Sequence, residues 1–192
     1  MRISSLLLCL LVLGVLGGTV ATLYLLHHAR QNRIRFNERK AEEALWWLSN
    51  AELTFHARDL DSNGVHDYWT EDVAGLNYLG TPAGGSGPSA SIHLIPRDLT
   101  IADAAYRGRI PEVTRPYCGY FFQAMEVDST GAPYQQDTDG SRRKVHHLSK
   151  FAFCAFPAEY GVTGRETIWI TERRSVVHML DNGGEPILKC PP

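Results

Sequence analysis

The densest set of oxygen side chains lies in Asp59-Leu60-Asp61-Ser62-Asn63-Gly64-Val65-His66-Asp67. Asp59, Asp61, Asn63 and Asp67 fall at relative positions 1, 3, 5 and 9, with Gly64 at position 6. That spacing wraps a hard cation, because alternate side chains turn inward and Gly permits the sharp bend. Val65 adds a backbone carbonyl at position 7. Position 12 is Thr70 where a bidentate Glu is expected, and Glu71 comes one place later. The expected ligands are therefore Asp59, Asp61, Asn63, Val65, Asp67 and Glu71. The expected cation is calcium, held weakly as in extracellular modules. The same stretch also reads as an Asx-rich turn that stops a helix, since Asn63-Gly64 is a turn dipeptide. Asp137-Thr138-Asp139-Gly140 is half of the same pattern.

Other chemistry is sparse. Cys118, Cys154 and Cys190 are an odd number outside the apolar N-terminus, and there is no Cys-x-x-Cys. Two could pair in an oxidising compartment, or all three could be buried thiols; spacing does not choose a pair. His27-His28 and His146-His147 are adjacent pairs. Neighbouring side chains diverge in helix and strand, so both pairs are expected on solvated surface. Arg142-Arg143-Lys144 reads as a solvated loop. There is no nucleophile elbow, no His-Glu-x-x-His, no phosphate-binding loop and no dinucleotide fingerprint, so no residue is named as catalytic.

The elements that must carry these residues follow from charge and periodicity. The 192 residues have a formal charge of −2, which does not point to nucleic acid. Residues 1–40 hold six Arg or Lys against Glu38 alone, so the acidic character belongs to the body. Leu6–Leu26 is an uncharged run of 21 residues. As a helix it would reach about 31 Å, matching a bilayer core. The expected organisation is a membrane anchor over 1–28 and a body over 29–192. A cleaved signal ending near Thr19 or Ala21 is the alternative, weakened by the apolar continuation through Leu26. Arg30, Arg33, Arg35, Arg39 and Lys40 would, counted alone, keep the following body inside. The short N-terminal tail and the body's cation loop favour the opposite. The expected location is the bacterial inner membrane, single pass, with the body in the periplasm or outside the cell.

Ile34, Ala41, Leu45, Leu48 and Phe55 recur at three-, four- and seven-residue spacings, which predicts one helical stripe continuing to about residue 58. A coiled-coil seam is the alternative, with too few heptads to support it. Residues 59–118 read as a loop region, with a short helix over Asp98–Tyr106, Thr100 and Asp103 at capping-box spacing, and a surface loop at Thr81–Ser91. Tyr120–Val127, Phe151–Phe156, Thr167–Thr171 and Ser175–Leu180 read as strands of an antiparallel meander over 119–181, the last two joined by a hairpin at Glu172-Arg173-Arg174. Asp137–Lys150 reads as a second exposed loop. The fold class is α+β: a long N-terminal helix, transmembrane then amphipathic, packed on a small antiparallel sheet.

This architecture resembles type IV pilins and type II secretion pseudopilins, and in detail the pilin-like proteins of planctomycete-type bacteria. The resemblance rests on Ala41-Glu-Glu-Ala-Leu, Ala51-Glu-Leu-Thr-Phe, Asp59-Leu-Asp-Ser-Asn-Gly-Val-His-Asp-Tyr-Trp-Thr, Gly119-Tyr-Phe-Phe and Phe151-Ala-Phe-Cys-Ala-Phe-Pro-Ala-Glu-Tyr-Gly. It implies a non-enzymatic, membrane-stored subunit whose partners are the lipid bilayer, other pilin-like subunits or secretion components. Met1-Arg-Ile-Ser-Ser leads straight into Leu6, with no prepilin processing site and no Glu in the apolar run, so a pilin-like body on a permanent anchor, or a divergent subunit, is expected. A calcium-stabilised extracytoplasmic binding module is the alternative role, and an anchored enzyme the remote one.

Overall fold

The computed structural model of the protein describes residues 2–78, 93–105, 114–173 and 177–192, with side chains from residue 16 onward. One helix, α1, runs Arg2–Arg58. It has no Pro at all and no Gly after Gly18, so nothing in its second half interrupts the hydrogen-bond ladder. It stops at Asp59, which adopts a left-handed φ of 46°. Asp tolerates this conformation because its short carboxylate can bond the local backbone.

Residues 16–30 of α1 are exposed, and burial begins beyond them. Ile34, Ala41, Leu45, Leu48 and Phe55 are buried, joined by Asn37, Ala44 and Ala51, so the expected stripe is the core face. Residues 6–15 of the expected span Leu6–Leu26 lie outside the described side chains. Among the described residues no helix is long and apolar enough to cross a membrane.

The stripe lies on a four-stranded antiparallel sheet of β2 (Tyr120–Ala124), β4 (Ala152–Pro157), β5 (Glu166–Thr171) and β6 (His178–Asp181), in that spatial order. Between β2 and β4 in the chain comes a two-residue strand, β3 (His146–His147). Phe122 pairs with Ala155, Phe153 with Ile170 and Ala155 with Ile168. Side chains alternate across a strand. Phe122, Phe153, Ala155, Ile168 and Ile170 therefore meet the helix in one core. Cys154 and Trp169 face the other way, into a smaller core with Met125, Tyr134 and Ile187. The C-terminal segment closes that second face: Leu188 O accepts the N–H of Glu126, and Cys190 N–H donates to Val127 O.

Three side chains of α1 fix its position along the sheet domain. Arg30 Nε donates to Gly161 O at 2.6 Å, Asn37 Nδ2 donates to Thr163 O at 2.8 Å, and Glu38 Oε1 accepts Arg165 N–H at 3.1 Å. All three partners, Gly161, Thr163 and Arg165, lie in the turn between β4 and β5, so the helix leaves the domain at that turn. A short helix, α2 (Gly75–Tyr78), packs against α1, and a second, α3 (Arg97–Ile101), packs against α2.

Several expectations need correction. Asp137–Lys150 is not simply an exposed loop, because β3 pairs antiparallel with β1 (Tyr68–Trp69), Trp69 opposite His146 and Tyr68 opposite His147. His146 and His147 are 5% and 7% exposed, so this pair is not on solvated surface. Thr100 does not cap α3: it lies within the helix, its Oγ1 bonded back to Pro96 O, and Pro96 occupies the cap position. The last strand runs His178–Asp181, with Val177 before it, and Ser175 and Val176 of the expected strand lie outside the described residues. Thr81–Ser91 and Arg174 lie outside the described residues.

Candidate metal centre

The loop after α1 folds around its own carboxylates. Asp59 accepts the backbone N–H of Asn63 on Oδ1 and of Gly64 on Oδ2, both at 3.1 Å. Asn63 Nδ2 donates to Asp61 Oδ2 at 2.9 Å, and Asn63 Oδ1 accepts Val65 N–H at 2.7 Å. Ser62 and Gly64 take left-handed φ values of 57° and 83° to make these turns. Gly meets that requirement without a Cβ clash. The backbone bonds of Asp59 and Asn63 leave Asp61 and Asp67 as the carboxylates that face the rest of the molecule.

What they face is His146. The β1–β3 pairing brings His146 across the ribbon from Trp69, two residues after Asp67. Its ring is held by aromatic neighbours, nearly parallel to Phe55 at 6.2 Å between centroids and edge-on to Trp69 at 5.4 Å. His146 Nε2 lies 3.2 Å from Asp61 Oδ2, and Nδ1 lies 3.8 Å from Asp67 Oδ2. One donor atom from each of Asp61, Asp67 and His146 falls within 4.8 Å of the others. Thr138 donates its hydroxyl to Asp67 Oδ2, so the 137–140 segment closes one side.

The electrostatics follow from this enclosure. Burial disfavours the imidazolium of His146, but the Asp61 carboxylate beside Nε2 and the charges of Asp67 and Asp139 outweigh it and raise its pKa. Burial likewise works against ionisation of Asp61, and His146 with the Asn63 N–H reverses the balance, lowering it. Asp67 goes the other way: burial, with the adjacent Asp61 charge, raises it against the Thr138 hydroxyl and His146. Asp61 and Asp67, shifted in opposite directions, enclose one imidazole in an electron-rich pocket.

That pocket is not saturated by its own hydrogen bonds. Asp61 Oδ1, Asp67 Oδ1 and His146 Nε2 are buried atoms without a hydrogen-bond partner, the Nε2 being close to Asp61 but out of line. Buried polar atoms are nearly always satisfied, by protein, water or an ion. Glu52, one turn before Phe55 on α1, adds a third acid behind the pocket. It is fully buried and accepts Trp69 N–H on Oε2 at 2.9 Å. Burial raises its pKa well above the usual range, the nearby Asp67 adding to the effect.

Of the six ligands expected from the sequence, Asp59, Asp61, Asn63 and Asp67 share one turn. Glu71 points to Arg143, 3.3 Å away on the exposed side, and leaves the group. His146 is the residue that spacing along the loop did not reveal, because it arrives from 79 positions later in the chain. The available signal was its setting: Val145-His146-His147-Leu148 is a short run flanked by apolar residues, which fits a strand as well as a loop.

No curated protein and no solved structure matches the chain. A family profile described as Protein of unknown function (DUF2950) matches residues 26–185, which takes in the docked half of α1, the Asp59–Asp67 loop, the ribbon and the whole sheet. That span is most of the chain, and the protein therefore belongs to the DUF2950 family.

Proposed function

We propose that the protein is a non-enzymatic, membrane-anchored structural subunit of pilin-like organisation, its sheet domain facing the periplasm or cell exterior. The carrying observation is the division of α1 into two different surfaces. From Ile34 onward one stripe is buried against the sheet, whereas Leu16, Val20, Leu23, Tyr24, Leu25 and Leu26 are 55% to 66% exposed on the free part of the helix. An apolar run of that kind on a single rod requires a cover, either lipid or neighbouring helices. In sequence the uncharged run reaches upstream to Leu6 and so has bilayer length, and the Arg-rich segment after it suits a headgroup layer. The resemblance to pilins supports the same assignment, with other pilin-like subunits or secretion components as partners.

The reading is tested by expressing the full chain with a C-terminal reporter active only outside the cytoplasm, then fractionating the cells. Reporter activity in a membrane fraction that resists carbonate extraction is the expected result. A reporter-active soluble product beginning near Thr22 would show a cleaved leader. For assembly, single cysteines at Leu16, Val20 and Leu23 are expected to give crosslinked ladders when subunits bundle through their free helices.

A further inference from the structure

We infer that Asp61, Asp67 and His146 are the ligands of one divalent cation of the zinc class. The site ties the loop after the long helix to the β1–β3 ribbon. This inference is independent of the anchoring role, because it concerns the opposite end of the spine.

His146 is 5% exposed and Asp67 is 1% exposed, yet His146 Nε2, 3.2 Å from Asp61 Oδ2 but out of line, and Asp67 Oδ1 have no hydrogen-bond partner, and Asp61 Oδ1 is buried in the same state. These three atoms come from one cluster, whose donors lie within 4.8 Å of one another. In a tetrahedral site with bonds of about 2.0–2.2 Å, donors sit roughly 3.3–3.5 Å apart. Small side-chain rotations would close the present spacing to that value. The imidazole is already restrained by Phe55 and Trp69, and Thr138 orients Asp67 from behind, the kind of support that surrounds metal ligands.

Donor chemistry then selects the metal. Calcium takes six to eight oxygen ligands, whereas an imidazole nitrogen with two carboxylates suits zinc and its neighbours. Glu71, the oxygen ligand best placed in sequence to complete a calcium sphere, is engaged by Arg143. Charge balance agrees, since two carboxylates and a neutral imidazole would neutralise a divalent ion. The fourth position would fall to water or an oxygen of the Asn63 turn.

The alternative is an internal ion pair in which a protonated His146 satisfies Asp61 and Asp67 with no metal. The two are separated by titrating the untagged full chain, in detergent at pH 7.5 after chelator treatment and removal of the chelator, with Zn2+ and separately with Ca2+. Calorimetry and thermal melting are read for the wild type and for His146→Gln, Asp61→Asn and His66→Gln. The expected result is a saturable Zn2+ site near one per chain, with a rise in melting temperature of several degrees. His146→Gln and Asp61→Asn weaken it at least 100-fold. His66→Gln, whose ring faces His56, leaves it unchanged. Should His146→Gln fail to fold, Asp61→Asn is read alone, together with Co2+ spectra of the wild type, in which intense visible absorption bands report an ordered four-coordinate site. Absence of saturable Zn2+ binding, Zn2+ binding indifferent to Asp61 and His146, or stabilisation by Ca2+ alone would each overturn the inference.

Discussion

Asp103 gives the sharpest prediction of how this fold responds to pH. Its side chain is 1% exposed and crosslinks two segments. Oδ2 accepts the N–H groups of Val73 and Ala74, each at 2.8 Å, and Oδ1 accepts Ala105 N–H at 2.9 Å. Burial, with the Asp72 charge, outweighs those three donors and pushes its pKa up to about 6 from 3.8. A folded-state pKa above the unfolded one means that the folded chain binds more protons between these values. The stabilisation is then full below about pH 4 and is lost as pH rises through 6. At 1.36 kcal/mol per pH unit, the ionised side chain costs about 3 kcal/mol at neutral pH relative to acid. Asp103→Asn removes the titration and keeps the shape. Its amide nitrogen opposes the Ala105 N–H and costs about 1–3 kcal/mol at every pH. The variant is thus less stable than wild type at pH 4 and close to it at pH 7.5. Urea unfolding of the detergent-solubilised full chain, followed by tryptophan fluorescence at several pH values, measures this directly. The difference in unfolding free energy between variant and wild type should change by about 3 kcal/mol across the window. A difference constant from pH 4 to 7.5 would refute the assignment, because it would mean that Asp103 titrates alike in both states.

Further outcomes follow from packing and thiol chemistry. Leu48→Ala removes a fully buried side chain from the helix–sheet core and should cost about 2–5 kcal/mol in the same unfolding assay, whereas Trp47→Ala at the 40% exposed neighbour should cost clearly less. Gly164→Ala would drive its new methyl into the Tyr120 hydroxyl, which donates to Glu166 O at 3.0 Å. A loss of about 1–3 kcal/mol from overpacking, and about 1 kcal/mol more if the hydrogen bond breaks, is expected in thermal melts. Burial pushes the Cys154 thiol up to about 12, so a thiol reagent followed by mass spectrometry should label Cys118 and Cys190 in the native chain and Cys154 only after denaturation.

Much of the architecture was legible because it rests on periodic signals. The stripe from Ile34 to Phe55 needs only a 3.6-residue period and a chain without breakers, and both are local properties. Phe151–Phe156 and Thr167–Thr171 were readable as strands from β-branched and aromatic content, and they pair within a residue of the expected limits. The ribbon was not readable, because two-residue strands carry too little pattern. His146 and His147 look polar in sequence and are buried by what lies across from them, Trp69 and Tyr68. Likewise, the capping-box spacing of Thr100 and Asp103 was real in sequence but not used locally: Asp103 instead serves Val73 and Ala74, about 30 positions earlier. A side chain that satisfies distant backbone leaves no trace in nearby spacing.

The same distinction explains why the cation loop was only half legible. Its turn is local, so Asp59, Asn63 and Gly64 announce it in their order. Its chemistry is not local, because the donor that separates zinc from calcium comes from β3. A consequence follows for the mechanics of the domain. The helix–sheet core of Leu45, Leu48, Phe153 and Ile170 does not depend on the centre, and neither do the tethers from Arg30, Asn37 and Glu38. Removing the cation should therefore loosen residues 59–67 and 137–147 while the spine stays docked, a local opening rather than global unfolding. Hydrogen exchange with and without chelator distinguishes the two: faster exchange confined to those segments fits a clasp between loop and ribbon. Faster exchange along α1 from Ile34 to Phe55 would instead make the centre a condition for the fold itself.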